Sequence, residues 1–259
     1  MSSWRVARLI AAKDLRVERR SKIVTNQVLP FAGITMVSFA FALDKQNVLD
    51  TVAPGLVWLA TTFSLLILVQ RSFSIETDDG ALDAMRVAGI DARAIFLGKA
   101  MALAVQLLVL EILLLFAAVV LYGESIQSSG AVLAFFDTPI TVGGVEVLLS
   151  GESTGAQSPV LAGVLLVTTL ICATCGLAAV GTLYGGLAAG FKGSETLLPL
   201  LALPAVAPVL IGATKAVESA VGTAGAVVSE GWQWVGLLAV FAVAFGIGGA
   251  LAFGPLIDE

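Results

Sequence analysis

Long apolar runs dominate the pattern of hydrophobic and polar positions along the chain. Six windows of about 20 residues or more carry no charge, apart from one interrupted by Glu111. A helix needs roughly 20 apolar residues to cross about 30 Å of hydrocarbon. The pattern therefore predicts an all-α integral membrane protein whose transmembrane domain covers residues 23–257. The six predicted spans are about residues 23–43, 51–70, 95–122, 160–186, 196–214 and 232–256.

The polar residues before the first span predict a helix that lies in the membrane interface. Residues 1–22 form a basic segment, and Trp4 near its start is suited to anchor it at the surface. The alternative is a basic cluster that only orients the first span. The predicted apolar face consists of Val6, Leu9, Ile10 and Val17, and the basic residues Arg5, Arg8, Arg16 and Arg19 lie largely on another face.

The connection between the second and third spans, residues 71–94, is highly charged and predicts a short helix. Nine charges fall between Arg71 and Lys99, although only 13% of the chain is charged. Thr77, Asp78 and Asp79 suit a helix N-terminus, and Gly89 is well placed to follow the last residue of the helix. A solvated loop is the plainer alternative. A capped helix of about residues 79–88, followed by Asp91 as the cap of the third span, instead suits docking into a partner.

Two further segments have patterns of their own. The loop of residues 123–159 contains no lysine or arginine, and its stretches "AVLAFF" and "TVGGVEVLL" predict an extracytoplasmic hairpin or flap. The fourth span is rich in glycine, which predicts close helix packing or a break in the helix. Its glycines are Gly176, Gly181, Gly185, Gly186 and Gly190.

The basic residues predict the orientation. Seven lie in residues 1–22, four in the connection ending at Lys99, and Lys192 makes twelve, whereas the opposite side receives only Lys45 and Lys215. Lysine and arginine concentrate on the cytoplasmic side of membrane proteins. We therefore expect a multi-pass protein of the cell membrane with both termini in the cytoplasm, and the long basic N-terminus is unlike a cleavable signal peptide.

Residue types that would support catalysis are scarce, so we do not expect an enzyme. The chain has no histidine and no Walker A sequence, and nothing in it predicts a metal site or a nucleic-acid partner. "CATC", from Cys172 to Cys175, lies inside an apolar span without further ligands, which favours packing over redox or zinc chemistry.

Glu111, in "LLVLEILLLF", is the one acid near the middle of a span. A charge there costs about 2.5–3.5 kcal/mol, so this side chain should face the bundle interior, be protonated or line a polar path. A functional role and a hydrogen bond to a neighbouring helix are both open.

Four segments, in the same order, resemble one known family. They are "DLRVERRSK" before the first span, "VAPGLVWLATTFSLL" in the second, "FSIETDDGALD" after it, and "LLPLLALPAVAPVLIGATKA" in the fifth. Together they are similar to CcmB, the haem exporter protein B family of cytochrome c maturation permeases.

The resemblance implies a six-span permease of the ABC-2 type that lacks its own ATPase. It implies a CcmA-like ATPase partner, CcmC-like and CcmD-like membrane partners, and a CcmE-like haem chaperone whose release ATP hydrolysis drives. ATP would bind the ATPase and haem the partner proteins, with no cofactor bound directly here. The ATPase-coupling interface would comprise Glu76, Asp78, Asp79, Gly80, Leu82, Asp83 and Arg86.

Two other functions remain open at this point. An ABC-2 exporter of a lipid, glycan or drug would have the same fold. A secondary transporter would need inverted repeats with broken helices and ion-binding groups. Only Glu111 and the glycine-rich fourth span favour this function. The loop of residues 123–159 is longer than the family's usual loop, which leaves its contacts open.

Overall fold

The computed structural model describes residues 3–43, 46–78, 80–126, 159–189 and 194–258, and these residues form helices and short turns without any strand. The N-terminal helix α1 comes first, and α4 is a short helix between two spans. The helices are α1 Ser3–Ser21, α2 Leu29–Ala42, α3 Gln46–Asp78, α4 Ala81–Val87, α5 Ala92–Ile126, α6 Pro159–Ala189, α7 Ser194–Val221 and α8 Val228–Asp258.

Six of these helices are long and apolar enough to cross a membrane, which confirms the six-span, all-helical prediction. A π-helical turn, Val24–Val28, leads into α2 and belongs to the first span. The candidate spans are Val24–Ala42, Val52–Glu76, Ala92–Leu121, Val160–Ala189, Leu198–Val221 and Val228–Leu256. The second runs beyond its predicted end at residue 70, because α3 remains helical through Asp78.

The core lies between α6 and the helices packed around it, which are α3, α5, α7 and α8. The glycines of α6 explain this close packing. A side chain at Gly185 would come 2.5 Å from Val69 and Phe73 of α3, and one at Gly186 would come 2.4 Å from Phe253 of α8. The prediction of close packing is therefore met, whereas the alternative of a break is wrong within the described helix.

Several hydroxyl side chains inside the spans donate to carbonyls of their own helices, although the buried hydroxyl of Thr182 has no hydrogen-bond partner among the described residues. Thr61 and Thr62 donate to the carbonyls of Val57 and Trp58, four residues earlier, at 2.9 and 2.8 Å. This local bonding lets a polar side chain lie in an apolar interior without an exposed donor. Outward faces carry exposed apolar side chains, as lipid contact requires.

Both ends of the chain lie at the same end of the bundle. Phe253, near the C-terminus of α8, packs against Phe96 in the first turns of α5, with ring centroids 5.6 Å apart. Helix α1 also packs against α5, and it reaches Gly98. The N-terminal helix, the connection that contains α4 and the C-terminus therefore meet at one end, as an even number of spans requires.

Candidate functional site

Four charged side chains from three helices form a group at this end of the bundle, here called the ion cluster, and two of them, Glu76 and Lys99, are buried. Its members are Lys13 and Asp14 of α1, Glu76 of α3 and Lys99 of α5. Lys99 Nζ lies 2.7 Å from Glu76 Oε2, and Lys13 Nζ lies 2.5 Å from Glu76 Oε1. Asp14 completes the group, 3.1 Å from Lys13 and 3.6 Å from Lys99. Each helix therefore contributes at least one charge to a network of two cations and two anions.

Close packing between α1 and α5 brings these charges together. A Cβ at Gly98 would lie 2.7 Å from the carbonyl oxygen of Ala7, so only glycine allows the two backbones to approach this closely. The protein-facing side of α1 is lined by Ala7, Ile10 and Ala11, and Asp14 follows Ile10 by one helical turn. Asp14 therefore points toward Lys99, which follows Gly98 directly.

The predicted apolar face of α1 is only partly covered by the protein. Ile10 is buried, whereas Leu9 and Val17 are 61% and 38% exposed. The small residues Ala7 and Ala11 beside Ile10 allow the close approach to α5. Contact of Leu9, Val17 and the exposed Trp4 with a membrane interface remains a prediction.

The ion cluster lies deep enough that its charges depend on one another. The side chains of Lys99 and Glu76 are only 2% and 5% exposed. Removing such charges from water costs several kcal/mol each unless they are paired. Lys99 has further partners in Ser72, at 3.4 Å from the hydroxyl oxygen, and in the ring of Phe73, 4.5 Å from the centroid. A cation over an aromatic face is attracted by the ring quadrupole.

Lys13 is the most exposed member of the ion cluster, and its pKa is raised above the ordinary lysine value. Partial burial, the largest single influence, lowers this pKa. The hydrogen bond to Glu76 and the negative charges of Asp14 and Glu76 together outweigh it. Contacts with Asp14 of α1 and Glu76 of α3 therefore keep Lys13 in its charged form.

A second contact holds α1 to α5 at their N-termini. Ser3 Oγ donates to Asp91 Oδ2 at 3.3 Å, and the backbone N–H of Arg93 donates to Asp91 Oδ1 at 3.0 Å. The second bond is the N-terminal cap predicted for Asp91. One carboxylate thus caps α5 and contacts the start of α1.

At its other end, α1 is joined to the first span. The backbone N–H of Val24 donates to Glu18 Oε1 at 2.6 Å, next to a turn at Lys22, whose φ is +53°. A positive φ is uncommon for a residue with a side chain, so this turn is sharply defined. Helix α1 is therefore fixed relative to the spans at both of its ends and by the ion cluster in between.

Of the residues predicted for a coupling interface, Glu76 alone has a described side chain, and it lies in the ion cluster. Thr77 and Asp78 end α3, so their prediction as caps of the next helix is wrong. Gly80 forms a turn with φ +62°, and α4 ends before Gly89, with φ +67°. Leu82, Asp83 and Arg86 lie on α4. Asp79 lies outside the described residues, as do the side chains of Asp78, Leu82, Asp83 and Arg86.

Glu111 faces the bundle interior, as its position in the apolar span predicts. It is fully buried on α5, and its Oε2 lies 2.5 Å from the hydroxyl oxygen of Thr174 on α6. Cys172 is partly buried on α6, but Cys175 is exposed on the outside of that helix, so packing explains only the first thiol. Both are free cysteines.

Sequence reasoning missed Lys13, Asp14 and Lys99 as members of one site, although the pattern carried a signal. Lys99 stands four residues after Ile95 and four before Leu103, and all three are buried on one face of α5. Glu76 continues the buried face of Val69 and Phe73 on α3 in the same way. A charge in register with a buried apolar face predicts a partner within the protein. It does not identify that partner.

The structure thus defines an all-helical, six-span membrane protein whose N-terminal helix is joined through ion pairs to the buried charges Glu76 and Lys99 of two spans. The chain belongs to the CcmB protein family, because the sequence model of that family matches residues 5–148 and 156–254. This match confirms the resemblance drawn from the four sequence segments. The match is interrupted only between residues 148 and 156. This gap falls within residues 127–158, which lie outside the described residues, as does the hairpin or flap predicted there.

Individual relatives support the same assignment. Heme exporter protein B of Rhodobacter capsulatus is 28% identical over 205 residues, covering 79% of this chain and 78% of the relative. The protein of the same name from Paracoccus denitrificans is 24% identical over 217 residues, covering 83% and 82%. That of Escherichia coli K12 is 30% identical over 103 residues, covering 39% and 45%. No solved structure matches the chain significantly.

Proposed function

We propose that this chain is the membrane subunit of an ATP-driven complex that serves haem export in cytochrome c maturation. Its relatives are named as haem exporters, and its fold supplies six spans. The working complex would include a CcmA-like ATPase, CcmC-like and CcmD-like membrane subunits and a CcmE-like haem chaperone. ATP hydrolysis by the ATPase subunit would drive release of the haem-loaded chaperone, and the present chain would transmit that work.

The ion cluster is the observation that carries this proposal. The turns at Gly80 and Gly89 connect α4 to α3 and α5. Glu76 and Lys99 of the ion cluster lie on these two spans, near the ends that the turns join. Glu76 anchors the last turns of α3, and Lys99 anchors the second turn of α5. A displacement of α4 by a bound partner would therefore move two spans and α1 together. Without such an anchor, the connection would absorb the displacement.

This arrangement divides the predicted coupling residues into two roles. Asp78, Asp79, Gly80, Leu82, Asp83 and Arg86 would form the surface that meets the ATPase. Glu76 is buried against Lys13 and Lys99 and would act as a positioning residue behind that surface. The bilayer surrounds the spans, and no nucleic acid is involved.

A charge reversal on α4 tests the proposed surface. Asp83→Lys should weaken co-purification of the ATPase subunit with the tagged chain and should lower the yield of cytochrome c with covalently attached haem. Glu230→Lys is the matched control, because Glu230 is an exposed acid in the first turn of α8, at the opposite end of the bundle. The control should recruit the ATPase normally. Undiminished recruitment by Asp83→Lys would contradict the assignment of this surface.

The substrate class is tested separately by deleting the gene. Loss of cytochrome c maturation in the deletion strain, restored by the wild-type chain, is the expected result. Normal maturation combined with an altered envelope lipid or glycan would instead favour a general ABC-2 exporter.

The proposed orientation places both termini in the cytoplasm of a cell-membrane protein. Ser21 in α1 and Ser229 at the start of α8 are both exposed, and they lie at opposite ends of the bundle. In a chain whose two native cysteines are replaced by alanine, Ser229→Cys should react with an impermeant thiol reagent applied to intact cells. Ser21→Cys should react only after lysis. Reversed labelling would overturn the orientation and the cytoplasmic placement of α4.

A further inference from the structure

The hydroxyl group of Thr174 makes two very short contacts in the middle of the bundle. Its Oγ1 lies 2.5 Å from Glu111 Oε2 on α5 and 2.6 Å from the carbonyl oxygen of Leu170 on its own helix. Hydrogen bonds between oxygen atoms are normally 2.5–3.0 Å long. Both contacts therefore have the length of strong hydrogen bonds, and each needs a hydrogen between its two oxygens.

Counting hydrogens shows that Thr174 cannot supply both bonds. A threonine hydroxyl has one hydrogen to donate and can accept with its lone pairs, whereas an ionised carboxylate and a carbonyl only accept. If Glu111 were ionised, one of the two short contacts would join oxygens with no hydrogen between them. If Glu111 is protonated, its own hydrogen serves the contact to Thr174, and the threonine hydrogen serves the contact to Leu170.

The surroundings of Glu111 agree with this count. The residue is 0% exposed, and no ion pair joins it to any residue in the described ranges. Its other oxygen, Oε1, has no hydrogen-bond partner among those residues. A buried carboxylate with one bare oxygen and no cation is strongly disfavoured, whereas the carbonyl oxygen of a neutral acid tolerates a missing partner at lower cost.

We propose that Glu111 holds a proton in the folded protein and donates it to Thr174, so that a relay of two hydrogen bonds runs from Glu111 through Thr174 to the carbonyl of Leu170. This relay clasps α5 to α6 without placing a charge inside the membrane. The clasp does not depend on the function proposed above, because it rests on the contacts of these three residues.

The clasp gives α5 a second fixed point. Lys99 and Glu111 are 12 residues apart on one helix, which at 1.5 Å per residue corresponds to about 18 Å along its axis. The first point belongs to the ion cluster and the second to the bundle interior. Helix α5 is thus held to α3 and α1 at one level and to α6 at another.

Infrared spectroscopy of the purified protein at neutral pH tests the proposed proton directly. A protonated carboxyl has a C=O stretching band that is separated from the bands of ionised carboxylates and of amides. The difference spectrum between the wild type and Glu111→Gln should contain one such band, lost in the variant. Glutamine is the matched substitution because its side-chain amide can still donate to Thr174. A difference spectrum showing loss of an ionised carboxylate would overturn the proposal.

A second comparison tests the donor relationship and does not require the Gln variant to fold. In wild-type protein labelled with ¹³C at the glutamate side-chain carboxyls, the protonated band should shift with the isotope. Thr174→Ser should leave its frequency unchanged, and Thr174→Val should shift it because the acceptor is removed. Absence of an isotope-sensitive protonated band in the wild type, or an unchanged frequency in Thr174→Val, would contradict the relay.

Discussion

Lys99 and Glu76 form a nearly solvent-free ion pair that closes the connection between the second and third spans, with 2.7 Å between Nζ and Oε2. Glu76 lies just before this connection and Lys99 just after it, so the pair holds together the two helix ends between which α4 lies. Lys13 adds a second cation to Glu76 from α1. Three helices therefore meet at these charges, and removing any one of the four leaves the network with an excess of one sign.

We expect Lys99→Ala to destabilise the protein markedly. Removal of one partner of a buried ion pair typically costs about 3–5 kcal/mol. In this variant the carboxylates of Glu76 and Asp14 would be left with only Lys13, whose side chain is 44% exposed, as a cation. Thermal unfolding in detergent, followed by circular dichroism, measures the effect. Lys215→Ala is the matched control, since Lys215 pairs with Glu218 at 2.6 Å but its side chain is 51% exposed. Exposed pairs contribute about 0–1 kcal/mol, so the control should unfold near the wild-type temperature.

Replacing both members of the pair separates ion pairing from packing. Glu76→Gln combined with Lys99→Met should recover part of the stability lost in Lys99→Ala, because Lys13 and Asp14 then balance each other and no excess negative charge remains. A double variant no more stable than Lys99→Ala would show that lost packing, and not an unpaired charge, dominates the cost.

Gly98→Ala should displace α1 from the bundle. The added Cβ would lie 2.7 Å from the carbonyl oxygen of Ala7, and a backbone atom cannot move aside as a flexible side chain can. Faster proteolysis within residues 3–21 and a lower unfolding temperature are the expected results. Gly236→Ala, where a Cβ would meet nothing within 4 Å, serves as the control and should be neutral or slightly stabilising. Equal behaviour of the two variants would contradict the close approach of α1 and α5.

The number and type of the long helices followed from apolar run length, because hydrocarbon thickness sets that length physically. The cap at Asp91 and the glycine after α4 followed from local backbone chemistry. The end of α3 did not, since Thr77 and Asp78 suit a helix start by propensity but extend the preceding helix. Burial of Phe73 and Glu76 against other helices supplies the tertiary contacts that override this local preference.

The ion cluster could be predicted only in part. Each charge on a buried face signals that a partner is needed, but Lys13 and Glu76 are 63 residues apart and Glu76 and Lys99 are 23 apart, so no local pattern links them. Their meeting depends on the contact between Gly98 and Ala7. Gly181, Gly185 and Gly186 of α6, which contact Val69, Phe73 or Phe253, show the same limit, because the sequence indicates close packing but does not identify the partner.

The raised pKa of Lys13 predicts how stability changes at alkaline pH. A lysine whose pKa is higher in the folded than in the unfolded protein contributes stability that is fully present below the ordinary value of 10.5. That contribution is lost as pH rises through the raised value. The difference in unfolding temperature between wild type and Lys13→Gln should therefore be constant from neutral pH to about 10 and should shrink above it. A difference that grows above pH 10.5 would have the wrong sign.

The final prediction concerns haem, which we expect this chain not to ligate by itself. Haem iron is usually held by histidine, cysteine thiolate, methionine or tyrosine. Histidine is absent, and the four methionines and two tyrosines are scattered over separate segments. Both cysteines lie on a membrane-spanning helix, where formation of a thiolate is disfavoured by the apolar surroundings. Axial ligation would then belong to the CcmC-like and chaperone partners.

Titration of haem into the purified chain should give the same Soret spectrum as titration into empty detergent micelles. A stoichiometric six-coordinate spectrum that disappears in Met101→Leu or Tyr184→Phe would assign a ligand to this chain and would contradict the division of labour proposed for the complex.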